Sequence, residues 1–568
     1  MSHTIFEQNI RDLYGEQKYQ EIIFKIEKYS SKKERSARLS SIIGMCKILK
    51  LNNTKNDIIT ALSDFEDSYN KSKTNELGIE ALCNYITTCI KNFQKYTEII
   101  EYFKKAKEMY DEAEINFGYH ERLFSHGVDL YKYSLDHNKV KKLLKVIISN
   151  KSKSKIIACL YGHFNNYTYN WKQKDYFNYS KTFINYFPKY EAKKIEEINY
   201  NKNKKIKIGF VSSDFVGDHT CAFFTKKTIN NLENNTFETI GISLTDDINL
   251  KNSSLELKQY CDKWLDLSKF NNQEIVKIIQ DERIEILIDL MGLTDANRIE
   301  IFNTRISPLQ ISWLSFCNTV GFPTIDYLIA DKYLIYDGEE KYYSEKILKL
   351  ANIWNCHPGF KFERKLKMMP FKKNKYITFG SFNNFLKISN EVIRVWSKIL
   401  QSVNNSKLIL KSTFRYNNQI IVDKFKKYGV DNSSIEFYDR LNYIDIEDHI
   451  KLYDKIDIAL DTFPYNGVTT TCEALWAGVP VITMKGYNFN SRCGESIMKN
   501  GNLEFFLSSS EDEYVEKAIY LSNNIEKLGK ERKKIFNQIL STPIFDSKKF
   551  SSNFKDEILK IYNRKLTD

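Results

Sequence analysis

The sequence predicts an α/β protein in which two successive doubly wound domains face a cleft, preceded by an all-α helical-repeat domain. Three observations carry that expectation. At 568 residues the chain exceeds the roughly 250–300 at which one core stops growing, so two or three domains are expected. Its first third has helical periodicity. Beyond that, short β-rich stretches alternate with helical ones, break at a basic linker, and begin again.

The helical front spans residues 1–195 in this reading. In KYTEIIEYFKKAKEMY, Tyr96, Ile99, Ile100, Phe103, Ala106 and Tyr110 recur at steps of three and four, which makes one apolar stripe on a helix. The septet QKYQEII at Gln17 returns as QKYTEII at Gln94. That recurrence points to degenerate helix-turn-helix repeats, weakly similar to tetratricopeptide repeats, with an ordinary helical bundle as the alternative.

The character changes near Pro188, and after the polar run YNKNKKIK a second domain is expected over 204–365. KIKIGFVSSDF, FETIGISL, IEILIDLMG and YLIAD read as buried parallel strands, because both faces are apolar and β-branched residues are frequent. The linker KFERKLKMMPFKKNK follows. A third domain, 372–568, then repeats the pattern with YITFGSF, KLILKS, IDIALDTF and VPVITM. Two such domains place a ligand between the carboxyl ends of their strands, so functional residues belong on the loops just after them. The helical run EDEYVEKAIYLSNNIEKLGKERKKIFNQIL is expected to cover the sheets or cross back to the first one.

Composition narrows the function classes. No window approaches the roughly 18 apolar residues of a membrane span. The start MSHTIFEQNIRDLYG has no basic region followed by an apolar run, so a cytoplasmic protein is expected. The ten cysteines form no CxxC pair or Cys/His cluster, which argues against a disulfide framework or structural metal. The net charge of +13 is spread over dispersed lysines, which favours an anionic small substrate over nucleic acid.

The stretch Asp461–Glu473 carries the chemistry. After IDIALD comes the turn TFPYNG and then VTTTCEALWAG, a short helix ending at Gly478. The threonines therefore sit at a helix N-terminus, where unpaired N–H groups and the helix dipole favour a diphosphate. Glu473, about one turn further, can accept hydrogen bonds from both ribose hydroxyls. By itself this pattern is equally compatible with threonines that merely cap the helix.

DTFPYNGVTTTCEALWAGVPVITM closely resembles the corresponding stretch of the SPINDLY and O-GlcNAc transferase family, glycosyltransferase family 41. The similarity continues through GSFNNFLKIS, through SPLQISWL with the following NTVGFPTIDYLIAD, and through GFVSSDFVGDH, over roughly residues 205–568. It implies a GT-B fold, two Rossmann-like domains facing a cleft, behind tetratricopeptide repeats.

Site roles follow from that resemblance. Lys387 would neutralise charge on the departing diphosphate. His219 would line the site near sugar and acceptor, as a candidate catalytic group. Asn384 would face the nucleotide or sugar, His449 would pack on the nucleobase, and Thr469, Thr470 and Glu473 would hold diphosphate and ribose. Asp214 and Gln310 would be cleft residues of the second domain. Near the turn there is no DxD pair, and helix terminus plus lysine can replace a cation, so no metal and no cofactor are expected.

The implied reaction is inverting transfer of N-acetylglucosamine from UDP-GlcNAc to protein serine or threonine, with the acceptor protein bound through the helical repeats. Leu293, Leu452 and Val468 depart from the histidine, arginine and histidine common in the O-GlcNAc enzymes, and TTTCE looks more like the SPINDLY type. GDP-fucose is therefore the rival donor. A nucleotide-sugar epimerase and a non-catalytic helical-repeat scaffold are the other readings.

Overall fold

A computed structural model describes residues 3–93, 95–150, 154–169, 171–195, 205–232, 235–294, 297–412, 415–439 and 445–567. The chain divides into two compact units. One comprises Met1–Ser152 with Ser412–Asp423, the other Lys153–Lys411 with Lys424–Asp568.

The first unit is built on helices α1 (His3–Gly15), α2 (Tyr19–Tyr29), α3 (Ala37–Leu49), α4 (Lys55–Asn70), α5 (Glu76–Asn92), α6 (Ile99–Phe117), α7 (Glu121–Tyr133) and α8 (His137–Ser149). Side chains of Ser36, Thr54, Asn75 and Asp136 accept first-turn N–H groups, which defines where α3, α4, α5 and α8 begin. Consecutive helices pack on one another, α3 on α4, α4 on α5 and α7 on α8, as expected of a helical-repeat array. Of the predicted stripe, Ile99, Phe103, Ala106 and Tyr110 are buried, and Tyr96 and Ile100 half-buried. The septet at Gln17 enters α2 through a left-handed residue, Gln17 at φ 59°. Gln94, which opens its repeat, lies outside the described residues, as do residues 200–204 of the polar run.

The second unit opens with α9 (Lys155–Phe164) and α10 (Gln173–Phe183). Sequence periodicity groups these two helices with the helical front, but they belong to the α/β unit. The reason is burial, since Tyr176, Phe183 and Phe187 share one core with Val211, Leu287, Phe302 and Phe322.

The first lobe comprises β1 (Ile206–Ser212), α11 (Thr220–Asn230), β2 (Phe237–Ser243), α12 (Asn252–Tyr260), β3 (Lys263–Asp266), α13 (Asn272–Asp281), β4 (Ile286–Asp289), β5 (Leu309–Ser312), β6 (Tyr327–Asp331) and β7 (Lys346–Leu350). Its seven strands run in the order β3-β2-β1-β4-β5-β6-β7 and are parallel throughout.

The second lobe comprises α14 (Pro370–Asn374), β8 (Thr378–Ser381), α15 (Asn390–Ser402), β9 (Lys407–Ser412), α16 (Arg415–Lys426), β10 (Ile435–Asp439), α17 (Ile446–Lys451), β11 (Ile458–Leu460), α18 (Thr469–Trp476), β12 (Val481–Met484), α19 (Cys493–Asn500), β13 (Leu507–Ser508), α20 (Glu511–Asn523) and α21 (Ile525–Gln538). Its six strands run β10-β9-β8-β11-β12-β13, parallel from β9 to β13.

The helical run after β13 stays with the second lobe, α20 on β12 and α21 on α18. The crossing is made by the final helix, α22 (Ser547–Thr567), which returns to the first lobe. There Phe554 meets the Trp313 ring at 4.9 Å.

In each sheet the strand order reverses, between β1 and β4 and between β8 and β11. Such a switch point opens a crevice outside the carboxyl ends of the strands, because flanking connections leave toward opposite faces. All ten cysteines are free thiols. Among the described residues no helix is long and apolar enough to cross a membrane.

Candidate active site

The loops that leave β8 and β11 meet the first lobe at a pocket of about 280 Å³. Thr220, Leu314, Ser315 and Cys317 line it from one side, and Asn384, Lys387, Tyr465, Val468, Thr469 and Thr470 from the other. These residues lie on the loops and helix starts that follow β1, β5, β8 and β11, where a ligand site of an open α/β sheet is expected.

The opening turn of α18 forms one wall. Its N-cap is Val468, whose side chain makes no capping hydrogen bond, and the three threonines lie inside the helix. The threonines therefore do not cap the helix, which removes the bland reading that the sequence left open. Thr470 Oγ1 instead donates to Asn383 Oδ1 at 3.0 Å. Asp461, at the end of β11, holds the turn from beneath: Oδ1 accepts from Thr462 N–H and from Gly467 N–H at 2.7 Å, and Oδ2 from Thr483 Oγ1 at 2.7 Å. Burial pushes this carboxyl up to about 6 in spite of those donors. The result is a rigid turn with uncapped helix N–H groups aimed at a cleft, the arrangement that favours an anion.

Lys387 enters from the turn after β8. Asn384 caps that turn, its Oδ1 accepting Leu386 N–H at 3.0 Å. The ammonium donates to Asn466 C=O at 2.9 Å and lies 3.9 Å from the centre of the Tyr465 ring. Burial pushes its pKa down to about 8, with Asp461 opposing the shift.

Further along α18, Glu473 is only 5% exposed. It accepts from Tyr453 OH at 3.1 Å and contacts His449 Nε2 at 3.1 Å. Burial alone would raise this carboxyl, but His449 and Lys411 hold it below the usual carboxylate range. Lys411, on β9, sits 3.2 Å from His449 Nδ1. The strand reading of KLILKS gives this lysine no role, so only the fold reveals its place beside this pair.

Three first-lobe candidates sit elsewhere than in the pocket lining. His219 is exposed and caps α11, with Nδ1 accepting Cys221 N–H at 3.3 Å beside cleft residue Thr220. Because Nδ1 accepts there, Nε2 carries the hydrogen of the neutral ring. Asp214 is half-buried in the loop after β1, its N–H on Ser212 Oγ. Gln310 is fully buried in β5. Its amide bonds Ile306 N–H at 2.8 Å, Thr324 C=O at 2.9 Å and Phe302 C=O at 3.3 Å, so it ties backbone together and does not face the cleft.

Leu314, by contrast, faces the pocket with φ at 78°. That left-handed strain, on the order of 1–3 kcal/mol for a non-glycine residue, is typical of functional sites and has no signature in the sequence.

Two facing α/β lobes, with a helix N-terminus and a buried lysine at their crevice, have the architecture of the GT-B class of glycosyltransferase fold. Residues 135–360 and 362–554 match the profile of Glycosyl transferase family 41, and the chain belongs to that family. It is 28% identical over 399 residues to a probable UDP-N-acetylglucosamine-peptide N-acetylglucosaminyltransferase SPINDLY of Solanum lycopersicum, covering 68% of this chain and 42% of that one. It is 30% identical over 378 residues to the corresponding protein SEC of Arabidopsis thaliana, covering 63% and 37%. The chain thus spans about two fifths of the length of these relatives. Among solved structures, a mutant of the Thermobaculum terrenum O-GlcNAc transferase has the same fold, with a TM-score of 0.77 at 20% identity over 90% of this chain and 95% of that one.

Proposed function

We propose that the chain is an inverting, metal-independent protein O-glycosyltransferase that moves N-acetylglucosamine from UDP-GlcNAc to serine or threonine of an acceptor protein held by the helical unit. The observation that carries this reading is the convergence of Lys387 and the uncapped start of α18 on one pocket. The diphosphate lies against the N–H groups of Thr469 and Thr470, its ribose against Glu473, and its nucleobase against His449. As the acceptor hydroxyl attacks the anomeric carbon, the bond to the diphosphate breaks and charge grows on the leaving oxygen. Lys387 and the helix terminus stabilise that charge from fixed positions, which is what allows a metal to be dispensed with. His219 can take the hydroxyl proton only after releasing Cys221 N–H, since its other nitrogen carries hydrogen in the present geometry.

GDP-fucose is the second donor reading. Val468 presents an apolar side chain to the pocket, and Leu452 is buried, where the O-GlcNAc enzymes carry histidine and arginine. The test is incubation of the chain with UDP-GlcNAc or GDP-fucose and a mixture of acceptor proteins, with and without EDTA, read by mass spectrometry. A HexNAc mass on serine or threonine that survives EDTA is the expected result. A deoxyhexose mass overturns the donor, and epimerised or hydrolysed donor without modified protein overturns the transferase.

A further inference from the structure

The chain that leaves β7 crosses behind the pocket, and its backbone is pinned on both sides of Asn355. Trp354 N–H donates to Asp331 Oδ2 at 3.2 Å, Trp354 C=O accepts from Trp313 Nε1 at 2.9 Å, and His357 N–H donates to Ile544 C=O at 2.8 Å. Asn355 itself is 3% exposed and lines the pocket, and its buried Oδ1 has no hydrogen-bond partner in the protein. Trp354, fully buried in the same lining, leaves its indole N–H without a partner too. Buried polar atoms are almost always satisfied, because leaving one unmade forfeits its hydration with nothing in return. Here a rigid backbone holds an acceptor and a donor, one residue apart, in the wall of a cleft.

We propose that Asn355, with Trp354 beside it, reads hydroxyl groups of the sugar carried by the nucleotide. This rests on the transferase reading above. A carbonyl oxygen takes only a hydrogen-bond donor, so its ligand is not a phosphate, whose oxygens at neutral pH are acceptors. The phosphates have donors of their own at α18 and Lys387. The ribose has Glu473 and the nucleobase His449, neither of which is part of the lining that contains Asn355. A pyranose presents adjacent hydroxyls that can each donate and accept, and a fixed amide beside an indole N–H matches that chemistry. Asn355 is then a specificity residue: it binds the hexose and leaves the nucleoside diphosphate alone.

The experiment compares wild type with Asn355→Ala by calorimetry, using UDP-GlcNAc against UDP and GDP-fucose against GDP. Loss of one or two hydrogen bonds should weaken the sugar nucleotide about five- to thirtyfold and leave the matching diphosphate within about twofold. Equal weakening of both, or of neither, overturns the assignment. Asn355→Ser, which keeps a small polar group, serves if the alanine variant does not fold, and the same ratio is read. Failure of wild type to bind either diphosphate would instead sink the transferase reading.

Discussion

Lys387 places its ammonium 3.9 Å from the centre of the Tyr465 ring and 2.9 Å from the carbonyl oxygen of Asn466. The lysine is thus charged, fixed and largely out of water before any ligand arrives. Burial has lowered its pKa to about 8, so the protonated form dominates below that pH and is lost above it. If the ammonium neutralises the leaving diphosphate, kcat/KM should fall about tenfold per pH unit above about 8, while kcat holds to higher pH because bound phosphate raises the pKa. Lys387→Ala should lower kcat by about 100-fold or more and retain nucleotide binding. Tyr465→Leu removes the ring, and a cation–π contact of about 0.5–1 kcal/mol corresponds to a descending limb roughly half a unit lower. A pH profile unchanged in both variants would remove Lys387 from the chemistry.

Gly467 bends the turn that feeds α18. A Cβ there would stand 2.4 Å from Thr470 Oγ1, 2.8 Å from Asn383 Oδ1 and 2.9 Å from Asp461 Oδ1. None of these can retreat cheaply, since Asp461 anchors the turn and Asn383 is bonded to Thr470. Gly467→Ala should therefore cost about 1–3 kcal/mol of stability and raise the KM for the nucleotide sugar about tenfold, because the helix terminus is displaced. Thermal unfolding and initial-rate kinetics measure the two effects separately.

Gln310 gives the opposite pattern. Its three backbone bonds join the segment between β4 and β5 to the loop after β5, well inside the first lobe. Gln310→Ala strands buried backbone groups and should destabilise by about 2–4 kcal/mol. At a temperature where the variant is folded, UDP or GDP should bind as to wild type. A selective loss of nucleotide affinity would return Gln310 to the cleft.

Most of the architecture is legible in the sequence because the central strands are apolar on both faces. The eight stretches read as strands are β1, β2, β4, β6, β8, β9, β11 and β12. What escapes is the edge and the exceptional. β3 is half-buried along its whole length, β7 has lysine at two of its five positions, and β5 carries Gln310 and Ser312 in a fully buried strand. At the site, Lys387, Thr469 and Thr470 meet because each follows a strand that ends at the same crevice. Gln310 is misread because burial of an amide among backbone groups leaves no trace in residue type. Leu314 and Asn355 escape for the converse reason: their significance lies in a backbone angle and an unsatisfied atom.

Glu473 is the residue whose role separates most cleanly by ligand. Its carboxylate is held ionised against burial by His449 and Lys411, and among the described residues His449 and Tyr453 both meet the same oxygen, Oε2. The other is available to a vicinal diol. A charge-assisted hydrogen bond of about 1.5–3 kcal/mol then predicts that Glu473→Gln weakens UDP or GDP binding by roughly ten- to a hundredfold. The 2′,3′-dideoxy analogue, which lacks the diol, should bind wild type and variant alike. Lys411→Met removes the cation that helps keep Glu473 ionised, so the carboxylate should protonate at higher pH and nucleotide affinity should begin to fall earlier on acidification. Calorimetry of both analogues between about pH 5 and 8 reads this directly. Equal losses for the ribose and dideoxy forms would show that Glu473 braces the pocket and does not touch the sugar ring of the nucleoside.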